Sequence, residues 1–196
     1  MANPTTSAQE GSIPPPCVTI TNATPIVIPS GAPGTTTGPA SPYPSTINVA
    51  GLGGTVTKVT VTLNGLSHTF PDDLDILLVG PGGQSVILMS DAGGALDVTN
   101  VNLTFDDTGA MLPDGAQIIS GFFKPTNFGA GDTFPAPAPA GPYGATLSVL
   151  NGTAPNGTYS LYVFDDLGGD VGSLLGFTLR ISTTTTPNCT FPTVVN

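Results

Sequence analysis

Residues 66–91 read Leu66-Ser-His-Thr-Phe-Pro-Asp-Asp-Leu-Asp-Ile-Leu-Leu-Val-Gly-Pro-Gly-Gly-Gln-Ser-Val-Ile-Leu-Met-Ser-Asp91. Two runs rich in leucine and β-branched residues, Leu74 to Val79 and Ser85 to Met89, flank Gly80-Pro81-Gly82-Gly83. Those glycines allow the positive φ values that a tight reversal needs, so the stretch reads as a β-hairpin. Pairing Val79 with Gln84 at constant register sets Asp72 opposite Asp91, with Asp73 and Asp75 close by. Four carboxylates then crowd one pole. Like charges across a ladder repel, which leaves a well-solvated loop or a hard cation, and the cation is the working expectation. Both strands are apolar on both faces, as expected in the middle of a covered sheet.

Working outward, Val59, Val61 and Leu63 alternate with Thr60 and Thr62, the pattern of a strand with one buried face. Cys17 to Thr21 reads as a short strand, and Thr24 to Ile28 as an edge strand bounded by Pro25 and Pro29. A Pro/Gly/Thr loop over 29–45 leads into Ile47-Asn-Val49. Downstream, Val101, Leu103 and Phe105 alternate with polar residues, and this strand is expected to stop at an acidic loop, Asp106-Asp107. Residues 108–144 carry Phe122, Phe123, Phe128, Phe134 and Tyr143 among prolines, including Pro135-Ala-Pro-Ala-Pro139. A loop of this length is pinned by its own aromatics or is functional. Tyr159 to Phe164 forms a strand that runs into Asp165-Asp-Leu-Gly-Gly-Asp170, and Phe177, Leu179 and Ile181 make the last one. About nine short strands with no helical period predict an antiparallel β-sandwich, with jelly-roll topology preferred.

The chain has 196 residues with 26 Gly and 21 Pro, enough for one domain with many turns. It divides into an extended Pro/Ser/Thr-rich arm (1–16), the sandwich (17–183) and a tail (184–196) containing Cys189. A hydrophobic content of 39% and a mean hydropathy of +0.24 exclude a largely disordered chain. No apolar run approaches the length needed to span a bilayer, so membrane insertion is not expected. Three basic residues (Lys58, Lys124, Arg180) against thirteen acids give a net charge of −10, which excludes nucleic acid as a partner. Twelve of those acids are Asp, the acid of tight loops and calcium shells.

His68 is the only histidine, so a zinc site fails on ligand count. It is placed at a loop entrance as a structural residue. Low lysine, acidic loops and abundant Thr, Gly and Asn point to an extracellular or cell-surface setting, where a Cys17–Cys189 disulfide is expected; two free or buried thiols are the alternative. Met1-Ala-Asn-Pro-Thr-Thr-Ser has neither a basic n-region nor an apolar h-region. An exported chain with this start is a segment of a longer precursor or begins at an introduced Met.

Three acidic groups are candidate metal ligands: Asp72, Asp73, Asp75 and Asp91; Asp106 and Asp107; and Asp165, Asp166 and Asp170. Spaced carboxylates separated by glycines converge on one ion of high coordination number, calcium. Ordinary Asx turns are the alternative for each group. Asp97, Asp114 and Asp132 read as isolated surface-turn residues. No nucleophile, base and orienting acid stand in register, so no catalytic residue is assigned. A glycosidase cleft is not supported in a chain without Trp.

The segments Asp73-Leu-Asp-Ile-Leu-Leu, Gly80-Pro-Gly-Gly, Asn156-Gly-Thr-Tyr-Ser-Leu-Tyr-Val-Phe-Asp-Asp166, Gly169-Asp-Val-Gly-Ser-Leu and Phe177-Thr-Leu-Arg-Ile181 resemble, in this order, the P domain (Homo B domain) of subtilisin-like proprotein convertases. The similarity is greatest to bacterial P-domain-like modules of exported proteins. It covers roughly residues 17 to 183 and implies a galactose-binding-like jelly roll, often with bound calcium, that acts as a stabilising or accessory module. Family members often carry Trp at positions like Tyr159 and Phe177, where this chain has other aromatics.

Three functions remain open. The first is a non-catalytic extracellular calcium-binding module that stabilises or joins secreted or surface assemblies. Its partners would be other copies of itself or other domains of a larger exported protein. The second is a self-assembling fibre or surface-layer subunit, in which the arm of residues 1–16 contacts a neighbour. The third is a carbohydrate- or ligand-binding module that uses the aromatic loop from Phe122 to Tyr143.

Overall fold

The computed structural model describes residues 17–129 and 131–185. The expected arm (1–16) and most of the tail, including Cys189, lie outside the described residues. Thirteen strands follow one another: β1 (Val18–Asn22), β2 (Ile26–Ile28), β3 (Gly38–Pro39), β4 (Ser45–Val49), β5 (Val56–His68), β6 (Leu74–Val79), β7 (Ser85–Ser90), β8 (Val98–Ala110), β9 (Gly121–Phe123), β10 (Thr126–Asn127), β11 (Gly157–Asp165), β12 (Gly172–Leu174) and β13 (Phe177–Thr183). The described residues contain no α-helix, only 3-10 turns at Pro71–Asp73 and Leu147–Leu150.

The strands form two sheets packed as a sandwich. In the first, β5 pairs with β13 through its first half and with β12 at Ser67 and His68, and β8 runs antiparallel to it. β1 lies outside β13, β2 beside β12, and β9 beside β8. In the second, the order is β10-β7-β6-β11, and β4 and β3 both pair with β11. The alternation read from the sequence sets the core. Val59, Val61 and Leu63 of β5, Leu74, Ile76 and Leu78 of β6, Tyr159, Leu161 and Val163 of β11, and Phe177, Leu179 and Ile181 of β13 meet between the sheets. Several of these large side chains, Phe105 and Tyr159 among them, are fully buried, which makes apolar burial the main favourable contribution to folding.

An all-β sandwich is therefore observed, with corrections. The sheets are mixed rather than purely antiparallel, because the 108–144 excursion returns β9 and β10 parallel to β8 and β7. β5 does not end near Leu63. Register shifts between Leu63 and His68, with Gly65 at φ 62, let it continue, so His68 is the buried last residue of a strand and not a loop entrance. β8 likewise runs through Asp106-Asp107 to Ala110, where it pairs with Phe123, so there is no third acidic loop.

The central hairpin exists, but its register differs from the expected one. Gly80 N donates to Gln84 O at 2.7 Å and Gly83 takes φ 83, so the loop is Pro81-Gly82-Gly83 and Val79 pairs with Ser85. A bulge between the pairs Leu77–Ile87 and Ile76–Met89 then adds a residue to β7. Its outcome is that Asp75, and not Asp72, is carried to the end of β7 beside Ser90 and Asp91.

Candidate metal centre

Period-2 alternation sends Leu74, Ile76 and Leu78 into the core, and so points Asp75, Leu77 and Val79 to the outer face of the second sheet. At the acidic end of that face, Asp75, Asp91 and Asp132 each offer a carboxylate oxygen, all within 4.8 Å of one another. They come from β6, from the residue after β7 and from the 108–144 excursion. Ser90 Oγ lies 2.6 Å from Asp75 Oδ1 and 3.1 Å from Asp91 Oδ2, and its single proton serves one at a time. Asp91 sits at φ 50, an unusual backbone angle that Asp tolerates better than most residues. Asn127 Nδ2, from β10, donates to Asp132 Oδ2 at 2.6 Å. Gly129, at φ 94, passes so close that a Cβ there would lie 2.9 Å from Asp91 Oδ2. Gly131, Thr133, Phe164 and Asp166 complete the walls of the cavity.

Asp75 is only 4% exposed. Burial pushes its carboxyl up to about 7; the Ser90 bond opposes this, and the charges of Asp132, Asp166 and Asp91 add to it. Burial followed by neighbouring aspartates also raises Asp91. Burial raises Asp166 too, and there a backbone hydrogen bond works against the charges of Asp132 and Asp72. Oxygens this close, with no nitrogen or sulfur donor among them, could hold a hard metal ion; oxygens 2.3–2.6 Å from a common centre stand roughly 3–5 Å apart.

The other expected ligands divide into two sets. Asp73 is 5% exposed, and burial with the charges of Asp170, Asp166, Asp72 and Asp91 pushes it up to about 6. Asp72 Oδ1 accepts from Gly94 N at 3.2 Å, and Asp170 Oδ1 from Thr69 Oγ1 at 3.0 Å. Asp165 turns inward. Its Oδ2 lies 3.2 Å from His68 Nε2, both side chains are fully buried, and its Oδ1 has no hydrogen-bond partner. Burial, then the charges of Asp73, Asp170 and Asp166, pushes Asp165 up to about 7, while burial lowers His68. His68 Nδ1 lies 2.9 Å from the Phe70 carbonyl. As a donor there, it leaves Nε2 to accept and Asp165 Oδ2 to carry the proton between them; as the acceptor of the Phe70 N–H, 3.2 Å away, it leaves Nε2 to donate to Asp165 Oδ2. In either tautomer both ring nitrogens of His68 have a partner, while Asp165 Oδ1 has none.

Asp106 and Asp107 sit beside Lys58, toward the other end of β5 from His68, and the chain supplies their partners. Lys58 Nζ lies 2.7 Å from Asp106 Oδ2, and Thr108 donates to Oδ1 through both its N–H and its hydroxyl. Burial works against the Asp106 charge, but these bonds outweigh it and leave its carboxyl below the usual range. Asp107 accepts the amides of Leu147 and Ser148 at 2.7 and 2.9 Å, anchoring the start of the second 3-10 turn. This pair is not brought together with the acidic pole.

Asp132 is the residue that sequence reasoning assigned to a surface turn. The available signal was its setting, Gly129-Ala-Gly131-Asp132, glycines flanking a lone acid in a long loop. Cys17 is not a free thiol, and its expected partner Cys189 lies outside the described residues. No helix among the described residues is long and apolar enough to cross a membrane.

No family model matches the chain, and no curated protein matches it. Among solved structures it is similar to the serine protease of Aeromonas sobria in complex with its chaperone (17% identity, TM-score 0.40) and to that protease alone (16%, 0.39). Each match covers 85% of this chain and 27% of the other, so this chain spans about a quarter of the protein chains it matches. Likeness at this level bears on neither the site nor its chemistry.

Proposed function

We propose that the chain is a non-catalytic, calcium-binding β-sandwich module of an exported or cell-surface protein. Asp75, Asp91 and Asp132 hold the ion, with Asp166 at the rim. The observation that carries this reading is the convergence of three carboxylates from three separate segments within 4.8 Å, one of them 4% exposed. An all-oxygen donor set favours a hard cation over zinc or copper, and calcium accepts the irregular, multi-ligand geometry that loops supply. Its role would be to tie the 108–144 excursion to the sheet, stabilising the module or the assembly it joins. The absence of a catalytic role is supported by His68, whose ring is closed between Phe70 and Asp165. The carbohydrate alternative has less support, because no Phe or Tyr among the described residues is exposed.

Titration calorimetry with calcium chloride on chelator-stripped protein tests the reading. Binding is expected, and Asp132→Ala should weaken it at least tenfold, about 1.4 kcal/mol. Absence of binding at millimolar calcium, or an unchanged affinity in the variant, would refute it.

A further inference from the structure

The sequence Asn-x-Thr, with x other than Pro, is the acceptor for N-linked oligosaccharide. It stands in this chain at Asn22, Asn102, Asn151, Asn156 and Asn188. Asn188 lies outside the described residues, and the fold treats the other four differently. Asn22 ends β1 and ties it to β4, its Nδ2 donating to Ser45 Oγ at 3.2 Å and to the Thr46 carbonyl at 3.0 Å. Asn156 clamps Leu52, with Oδ1 accepting from Leu52 N at 2.9 Å and Nδ2 donating to Leu52 O at 2.7 Å. A sugar takes the place of one of the two amide hydrogens. At Asn156 that is the hydrogen on the oxygen's side of the amide, the one the clamp uses, and at Asn22 the amide already serves two acceptors. Asn102 lies inside β8, which is paired on one side with β5 and on the other with β9, and its Oδ1 accepts from Gly65 N at 2.8 Å. A strand held on both sides opens only at the high end of local stability.

Asn151 is placed otherwise. It is exposed, and its side chain makes no hydrogen bond among the described residues. The turn that presents it is closed without that side chain: Asn151 N donates to Ser148 O at 3.0 Å, Gly152 N to Val56 O at 2.8 Å, and Thr153 Oγ1 to Leu150 O at 2.7 Å. Gly152 takes φ 79, and a Cβ built on it would meet nothing within 4 Å, so the turn faces open space. A short surface turn of this kind opens without disturbing the sheets. We infer that Asn151 is an acceptor for an N-linked oligosaccharide, and that the folded sandwich offers it in preference to Asn22, Asn102 and Asn156. This rests on the exported setting proposed above, because the donor, a lipid-linked oligosaccharide pyrophosphate, is used on the far side of the exporting membrane. In the transfer, Asn151 Nδ2 bonds to C1 of the first sugar. The bond from C1 to the pyrophosphate oxygen breaks, its electron pair leaves on the lipid pyrophosphate, and the amide proton goes to a base of the transferase. Nothing is oxidised or reduced. The acceptor lies beside Lys58 and Asp107, at the end of β5 away from His68, so a glycan there leaves the acidic pole open.

Incubation of the folded full chain with a purified oligosaccharyltransferase and a lipid-linked oligosaccharide, followed by proteolysis and mass spectrometry, tests the inference. The enzyme must be one that needs no acidic residue ahead of the acceptor, because Val149 stands two places before Asn151. Synthetic peptides carrying each of the four sequences report what the enzyme accepts without a fold. Relative to its own peptide, Asn151 in the folded chain should be modified about tenfold faster, or more, than Asn22, Asn102 or Asn156. Asn151→Gln should remove this product and leave the melting temperature unchanged. Asn156→Gln should lower the melting temperature and leave modification of Asn151 in place. Equal modification of any of the other three in the folded chain, a folded chain unmodified at Asn151, or an Asn151 peptide that the enzyme refuses overturns the inference. Enzyme and donor are supplied, so the result does not depend on export. Fractionation of producing cells that finds the chain only in the cytoplasm removes the exported setting while the acceptor result stands.

Discussion

Asp75 shows at the scale of one residue the electrostatic cost that the acidic pole places on the folded state. A nearly buried carboxylate with a single hydroxyl donor and aspartate neighbours is more stable protonated, so its folded value, about 7, lies well above the ordinary 3.8. Asp165, at about 7, and Asp73, at about 6, are shifted the same way. Between the ordinary and folded values the native state binds more protons than the unfolded one, so stability falls as pH rises. The chelated protein should therefore lose melting temperature steadily from about pH 4 to about pH 7 and level off above. Millimolar calcium should restore most of the loss at the upper end, because it binds the ionised form. A chelated protein that gains stability across that interval would contradict the electrostatic picture. The acidic pole was legible in the sequence because Asp72, Asp73, Asp75 and Asp91 flank one hairpin. Which of them converge was not, because a three-residue loop and one bulge moved the register. Asp132 was not legible either, since it arrives from a long loop with no periodicity to place it.

Among the elements, β8 separates two kinds of acidic residue. An Asp-Asp pair after an alternating run reads as a loop when judged by propensity, since Asp is depleted in strands. β8 nonetheless continues, because Lys58 and Thr108 satisfy Asp106, and the 3-10 turn at Leu147–Leu150 donates two amides to Asp107. Tertiary partners overrode the local preference. Asp107→Ala should cost about 1 kcal/mol, as loss of a helix-capping side chain does, with calcium affinity unchanged. Chemical denaturation and calorimetry on the same variant check both parts; a loss of calcium binding would mean that this end of β8 belongs to a metal site after all. The 108–144 excursion was expected to be pinned by its own aromatics or to be functional, and two of those aromatics, Phe134 and Tyr143, pack on the outer sheet face. That also explains why β6 and β7 are apolar on both sides: one face meets the other sheet and the opposite face meets Phe134 and Tyr143.

Across the whole molecule, the period-2 alternation of β5, β8 and β13 was enough to announce a sandwich, because each strand buries one face regardless of its neighbours. Strand order and the parallel pairs of β9 and β10 depend on where the long excursion returns, which alternation does not encode. The same folding gathers Asp72, Asp73, Asp75, Asp91, Asp132, Asp165, Asp166 and Asp170 at one pole, and the charged neighbours acting on them are other aspartates. In a chain of net charge −10 such a pole strains the folded state in two separable ways. Diffuse repulsion is relieved by any salt, since the screening length shrinks from about 30 Å at 0.01 M to about 10 Å at 0.1 M. A specific ion acts through mass action on the folded state alone. At pH 8 the chelated protein should gain melting temperature as sodium chloride rises from 0.01 to 0.5 M, concentrations on the scale of that screening. One millimolar calcium chloride adds an ionic strength of only about 3 mM, too little to alter screening. If it raises the melting temperature by more than 0.1 M sodium chloride does, the pole holds a site. If the two effects merely track ionic strength, the carboxylates are a solvated surface and the ion has no fixed place among them.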